Sequence, residues 1–398
     1  MTFDSQKLYI EINNYEFIFI VLRIKENNDS FELIHRNSIP IQGIKNEKIT
    51  DFDLVFNLIK KNLFTIEQKL KFVFKDVILL INNFDCSIIN FTGFQKLNGS
   101  QLVKENVTYI INTLKTKINE FENHKTILHI FNSKSLLDKK KMDNIPIGLF
   151  GNLYTHELSF FLINSNDLKN IQKIFEKCNL KVKKIISKSF IEGATLINKN
   201  NFDTFLKLEI GEDTSKIVFF EDSVIKFFQN FNFGTNLIVK DVSKITGLDH
   251  SAIINILSEL DYSNKLLDSE LIEKKFFKEK NFRKIKKSLI FDIIKARVSE
   301  YLELMITKNI NLVAFIKNDL NMYFYIPESS RPRCIEEIFL SIFSNNQSLI
   351  IKNIKNFEFE NLYENTNRLV QYGWKKEAVP IVQEKKSLIS RLFDKFFN

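Results

Sequence analysis

Leu8–Leu22 reads LYIEINNYEFIFIVL, and Phe205–Phe220 reads FLKLEIGEDTSKIVFF. Each is a β-rich run, a short polar break and a second β-rich run, which is the pattern of a hairpin. Ile10-Glu11-Ile12-Asn13-Asn14 aligns with Leu208-Glu209-Ile210-Gly211-Glu212, and Phe19-Ile20-Val21-Leu22 with Ile217-Val218-Phe219-Phe220. The offset from Glu11 to Glu209 is 198 residues, about half of the 398-residue chain. A further strand follows each hairpin, Phe31–Ile34 and Ser223–Asn230. The pattern predicts a duplicated α/β fold.

Between and beyond the hairpins, Asp51–Phe64 predicts a helix, with Asp51 as its cap and Phe52, Val55, Phe56 and Ile59 at helical spacing. Val77–Ile81, VILLI, suits a buried strand. Residues 100–121, 166–179, 240–246, 250–260, 288–307 and 334–343 predict helices, and 126–131, 158–163, 181–187 and 311–316 predict strands. Residues 375–384, KKEAVPIVQE, show no clear period and contain Pro380, so they read as a linker.

A chain of this length suggests two to four domains. Hydrophobic residues at 44% and charged residues at 26% exclude a mostly disordered or a collagen-like chain. The 40 Phe against ten Gly and five Pro fit the usage of an AT-rich genome, so most Phe is read as core in place of Leu. A net charge of +9 favours an anionic partner. Cys86, Cys178 and Cys334 fit neither a disulfide framework nor a zinc motif, and a reducing cytoplasm is expected. The first residues lack the basic-then-apolar order of a signal peptide. No window of 18 or more residues is free of charge, so no transmembrane helix is expected.

The chain lacks catalytic motifs. None of the ten glycines fits GxxxxGK[ST], GxGxxG or GxSxG. His124 and His129 are five apart, not the four of HExxH, and no metal site emerges. An ordinary metabolic enzyme is not expected on these grounds. The basic residues are spread without a nucleic-acid motif, so no nucleic-acid partner is expected.

The feature that speaks to function is Lys385–Asn398, KKSLISRLFDKFFN. Leu388, Ile389, Leu392, Phe393, Phe396 and Phe397 recur in pairs four apart and share one helical face. Lys385, Lys386, Arg391 and Lys395 occupy the other face against Asp394. Such a helix is too short to span a bilayer but suited to its interface, with each basic residue contributing about 1 kcal/mol against anionic lipid. One ~14-residue helix binds weakly, so stable attachment requires several copies.

At this point the chain resembles the FtsA family of bacterial cell-division proteins, in the actin-like superfamily. Pro146-Ile147-Gly148-Leu149-Phe150-Gly151 with Leu158–Ile163 is similar to the family's Pro-Val-Gly-Leu-Ser-Gly segment and following strand. Asn170–Lys173 through Glu176–Val182 is similar to its helix and Cys-Gly-Leu-Lys-Val turn. Phe291–Glu300 resembles its Ile-Ile-x-x-Arg-x-x-Glu helix, and 385–398 stands where the family carries a membrane-targeting helix.

The resemblance implies two actin-like (ribonuclease H-like) halves around a central cleft, with a small α+β subdomain inserted in the first half. The implied division is 1–72 plus 166–202, then the insert at 73–165, the second half at 203–374 (outer part about 232–300), the linker 375–384 and the terminal helix 385–398. It further implies a peripheral protein on the cytoplasmic face of the inner membrane at the division site. Its partners would be the C-terminal peptide of FtsZ (docking on about 232–300), anionic lipids, further copies in filaments, and later division proteins. The Lys-rich stretch 274–287 is a candidate surface for an acidic peptide. A PilM-like pilus-assembly protein shares the insert but reaches the membrane through a partner, so 385–398 discriminates against it.

The nucleotide loops depart from the family. Its first phosphate loop is Asp-Ile-Gly-Ser/Thr, then a small polar residue and Lys; here Glu11-Ile12-Asn13-Asn14-Tyr15-Glu16 lacks both Gly and Lys. The second is Asp-Ile-Gly-Gly-Gly-Thr; here it is Glu209-Ile210-Gly211-Glu212-Asp213-Thr214. The adenosine loop should carry Gly-Gly after a strand, and Lys317-Asn318-Asp319 follows Leu312–Ile316. Glycine lets backbone N–H groups approach phosphate, and Glu212 and Asp213 oppose it. Glu11, Asn13, Asn14, Glu209, Gly211 and Thr214 are therefore degenerate nucleotide positions. The expectation is weak or lost binding of ATP with Mg²⁺ and no catalytic turnover.

Overall fold

The structure, a computed structural model, describes residues 6–378 apart from 14, 25–30, 46–47, 83, 201, 261–269, 278–281, 317–318, 328–331 and 347. The first hairpin forms as read: β1 (Gln6–Ile12) pairs antiparallel with β2 (Glu16–Ile24), and β2 with β3 (Phe31–Pro40). A short ribbon of β4 (Ile44–Lys45) and β5 (Lys48–Ile49) leads to α1 (Phe52–Leu70). Asp51 caps α1, its carboxylate accepting from the Leu54 N–H at 3.0 Å. β6 (Asp76–Ile81) then returns parallel to β1, and its apolar run is buried in mid-sheet.

The chain next leaves this sheet. β7 (Cys86–Lys96), α2 (Lys104–Phe121), β8 (Lys125–Leu137), β9 (Lys140–Met142) and β10 (Leu153–Asn164) form a separate four-stranded sheet, order β7-β10-β8-β9, with α2 on one face. α3 (Ser165–Lys177) and β11 (Lys181–Ser187) rejoin the first sheet, whose order is β11-β6-β1-β2-β3. α4 (Lys188–Asn200) carries the chain across.

The second hairpin, β12 (Phe205–Ile210) and β13 (Ser215–Glu221), is followed by β14 (Val224–Phe231), α5 (Thr235–Thr246), α6 (His250–Glu259), α7 (Lys287–Leu302), β15 (Leu320–Tyr325), α8 (Arg333–Ser344) and β16 (Leu349–Ile354). Its sheet order is β14-β13-β12-β15-β16. Read from β3 to β11, the first sheet has the same order: a three-stranded antiparallel edge, then two strands parallel to the hairpin's first. The repeat in the sequence is a repeat of topology. α9 (Phe359–Tyr372) returns to the first half.

One apolar core spans both sheets. Tyr9, Ile20 and Leu80 of the first sheet share a cluster with Phe190 and Ala194 of α4, Phe205 and Phe220 of the second sheet, and Tyr363 of α9. The approach is close at Gly193: a Cβ there would stand 2.0 Å from the Phe220 ring. The insert is also fastened to the second half. Lys226 of β14 pairs with Glu157, Lys134 with Glu221 at 3.0 Å, and Lys141 with Asp222 at 2.7 Å.

The structure differs from the sequence reading in three places. Residues 311–316 are not a strand. Asn309 turns the chain, its side chain donating to the Met305 carbonyl at 3.0 Å and accepting from the Asn311 N–H at 3.2 Å. Leu312 is buried while Val313 is exposed, and the strand comes later, as β15. An insert beginning at residue 73 would include β6, yet β6 lies in the first sheet between β1 and β11. The stretch read as a linker begins as an edge: Glu377 bridges to Phe131, and the Ala378 N–H donates to the Ile130 carbonyl at 2.8 Å. The terminal stretch 385–398 lies outside the described residues.

Candidate functional site

The two hairpin turns lie beside one another where the halves meet. Each turn is closed by bonds of its own backbone donors. The Asn13 side-chain oxygen accepts from the Tyr15 N–H at 2.9 Å and the Glu16 N–H at 2.8 Å. These are the kind of amides a phosphate loop would aim at its ligand. The Gly211 N–H donates to the Thr214 carbonyl at 2.9 Å, and the Gly211 and Glu212 carbonyls accept from the Thr235 and Asn236 N–H groups. This second turn is thereby tied to the start of α5. Gly234 is required there, because a Cβ would stand 2.3 Å from the Gly211 carbonyl oxygen.

The two turns also meet. The Tyr15 phenol lies against Glu212 and Asp213, and burial followed by those two charges pushes its pKa above the ordinary value. From the second half, Lys216 Nζ donates to the Asn82 side-chain oxygen at 2.5 Å. Asn82 closes β6, its N–H donating to the Ile12 carbonyl at 2.9 Å. Protein contacts therefore join the two halves here.

Behind the turns lies a chain of buried charges. Glu11 of β1 pairs with Lys188, at the start of α4, and accepts from the Tyr363 hydroxyl at 3.4 Å. One turn along α4, Glu192 pairs with Lys207 of β12, and Lys207 reaches Glu209 at 2.9 Å. Lys207 is 1% exposed and Glu192 3%. Burial alone would lower the pKa of both lysines, but Glu11, Glu192 and Glu209 outweigh it and hold them above the ordinary value. Burial would raise Glu209; Lys207, Lys216 and Lys188 instead pull it down to about 2. Lys188, Lys207 and Glu209 are thus held in their charged forms. Three carboxylates balance Lys188, Lys207 and, across the gap, Lys216.

Glu11 and Asn13 lie at the end of β1 and in its turn, and Glu209, Gly211 and Thr214 at the end of β12 and in its turn; Asn14 lies outside the described residues. The residues that the sequence reading missed are the cations Lys188, Lys207 and Lys216 and their partners Asn82 and Glu192. One signal was present. In FLKLEI, Lys207 and Glu209 are charges two apart in an otherwise apolar strand, which places both on one face. The strand expected before the adenosine loop is β15. Ile326-Pro327-Glu328-Ser329 comes directly after that strand, and this too lacks a Gly pair.

Within 232–300, part of the Lys-rich stretch is already neutralised. Lys275 meets Glu259 at 3.1 Å and Glu273 at 3.2 Å, and Lys287 meets Glu270 at 2.7 Å. Among the described residues no helix is long and apolar enough to cross a membrane, and no cluster of three metal-ligating side chains is present.

No family model matches the chain. Cell division protein FtsA of Buchnera aphidicola subsp. Schizaphis graminum is 22% identical over 301 residues, which is 74% of this chain and 71% of that protein. Cell division protein FtsA of Neisseria meningitidis serogroup B is 22% identical over 302 residues, 75% of this chain and 72% of that protein. Among solved structures, the PilM-PilN type IV pilus biogenesis complex superposes with a TM-score of 0.55 at 11% identity, covering 92% of this chain and 96% of that one. The chain thus has an actin-like α/β fold in two repeated halves, and the curated proteins it resembles in sequence bear the name cell division protein FtsA.

Proposed function

We propose that this chain is an FtsA-like adaptor that works without nucleotide. It tethers FtsZ filaments to the inner face of the cytoplasmic membrane through residues 385–398, self-associates there, and recruits later division proteins. The observation that carries the nucleotide-free part is the cleft, where Lys216, Asn82, Tyr15 and Asp213 bridge the halves and the ion-paired Glu11–Lys188 and Glu192–Lys207–Glu209 stand behind them. Sequence similarity to the FtsA proteins supports the division role, and the amphipathic spacing of 385–398 supports the membrane role. The fold likeness to the PilM complex, at 11% identity, does not choose between a division and a pilus role.

Two measurements test the reading. With vesicles containing phosphatidylglycerol, the full chain is expected to pellet and to bring FtsZ with it, and a chain ending at residue 384 is expected to stay in solution. Equal pelleting of the two would overturn the tether. In a thermal melt, about 1 mM Mg-ATP is expected to leave the midpoint unchanged. A site with a Kd of about 10 μM would instead add roughly 2.7 kcal/mol at that concentration, a shift of several degrees.

A further inference from the structure

The end of the first sheet away from the hairpin turns carries a cavity of about 490 Å³, between the first residues of β1 and β6, Lys183 of β11 and Val370 of α9. That volume falls among ligand pockets, roughly 300–1,000 Å³. One wall is Phe72 and Val73, which are 40% and 72% exposed. These two side chains are held in place. The Glu67 carboxylate accepts from the Phe74 N–H at 2.9 Å, and the Glu67 carbonyl from the Phe72 N–H at 3.2 Å. Lys71 takes a left-handed φ of 49°, and the Phe72 and Phe74 rings meet edge-on at 5.0 Å. A loop whose backbone is fixed so that apolar side chains face water beside a cavity has the character of an interaction surface.

The rim is basic. Lys7, Lys75 and Lys183 line the cavity against a single carboxylate, Asp76. Among the described residues none of the three lysines has an ion-pair partner; Lys7 donates a hydrogen bond to Asn367 Oδ1 at 3.2 Å. Burial and the Lys183 charge lower the Lys7 pKa, so these cations repel one another across β6. β6 separates β1 from β11, so Lys7 and Lys183 sit about 10 Å apart by strand spacing. That span suits carboxylates distributed along a chain better than one compact headgroup.

We propose that this cavity docks an acidic, amphipathic peptide segment of a partner protein, its apolar side chains against Phe72, Val73 and Val370 and its carboxylates toward Lys7, Lys75 and Lys183. The site lies at the far end of the first sheet from the turns and outside 232–300, so its failure would leave the adaptor reading intact. The test is to pan a phage-displayed random dodecapeptide library on the full chain, with counter-selection on the variant Val73→Ser/Lys75→Glu/Lys183→Glu. All three residues are exposed, and the variant is expected to melt as the parent does.

Enriched peptides are expected to carry two or more Asp or Glu with Leu, Ile or Phe. By fluorescence anisotropy they should bind the variant at least tenfold more weakly, and weaken as salt rises. Neutral or basic consensus peptides, equal binding to the variant, or no enrichment would overturn the proposal. Two outcomes would reassign the surface and so also overturn it. One is self-association in ultracentrifugation that the variant loses, which would make a second copy the occupant. The other is pelleting with anionic vesicles that the variant loses, which would make it a lipid site.

Discussion

Replacing Lys207 with methionine is expected to remove roughly 3–5 kcal/mol of folding stability, against about 5–15 kcal/mol for a typical domain. Lys207 is buried between Glu192 and Glu209, and its ammonium also lies 5.4 Å from the Phe357 ring centre. Methionine matches its length and leaves no cavity. What it leaves is two carboxylates facing each other away from water, where each loses its partner and repels the other. Desolvation penalises a buried charge far more than pairing stabilises it, so breaking a pair costs more than never having built it. The companion variant rests on the same asymmetry. Lys207→Met with Glu192→Leu and Glu209→Leu removes all three charges and is expected to regain most of the loss. Urea denaturation of the three chains decides it. A Lys207→Met midpoint within about 0.5 kcal/mol of the parent would mean that this network does not hold the halves.

On the proposed nucleotide-free reading, the network stands where a ligand would otherwise join the two halves. An actin-like cleft that binds nucleotide leaves donors in the two turns for phosphate. Here Asn13 and Thr214 accept those N–H groups, and side chains span the gap. In the sequence, the loss of glycine at Asn13 and Glu212 was legible and pointed to weak nucleotide binding. The replacement was not, because Lys188 reaches Glu11, Glu192 reaches Lys207 and Lys216 reaches Asn82 only once α4 and β13 are placed.

Much of the fold was readable for local reasons. The two hairpins declare themselves through β-branched and aromatic runs around a polar turn, and α1 through Asp51 and a regular apolar stripe. The failures also have physical causes. α9 reads as polar, FENLYENTNRLVQY, yet Asn365, Thr366 and Asn367 are buried. Asn365 accepts from Asn198, Asn367 accepts from Lys7 and Tyr9, and Thr366 donates back to the Leu362 carbonyl within the helix, so hydrophobic periodicity cannot find their face. β7 alternates weakly because its two faces have different neighbours: Gly93 lies under Ile110 and Leu114 of α2, while Asn90 reaches the Lys226 carbonyl of β14 at 2.9 Å. Residues 311–316 form an apolar run of strand length, and only the hydrogen bonds of Asn309 show that it turns.

Substituting His156 with leucine is expected to make the chain more resistant to acid. His156 on β10 is 0% exposed, and among the described residues neither ring nitrogen has a hydrogen-bond partner. It shares its face of the strand with Tyr154 and Leu158, in the layer that α2 covers. Burial pushes its pKa down to about 4 from the ordinary 6.5. The folded state therefore prefers the neutral ring, and between about pH 6.5 and 4 the unfolded chain binds the extra proton. Stability must fall as pH drops through that window and level off, for this group, below it. At about 1.4 kcal/mol per pH unit the loss approaches roughly 3 kcal/mol. Leucine carries no titrating group and removes two unsatisfied polar atoms, so at pH 7.5 the variant is expected to equal or modestly exceed the parent. By pH 4.5 the gap should widen by about 2–3 kcal/mol in its favour. Other carboxylates titrate in both chains and cancel in the difference, which is why the paired urea series is the measurement that matters. A gap constant from pH 7.5 to 4.5 would show that the buried imidazole finds a proton acceptor or water in the folded state, and that the insert does not depend on its staying neutral.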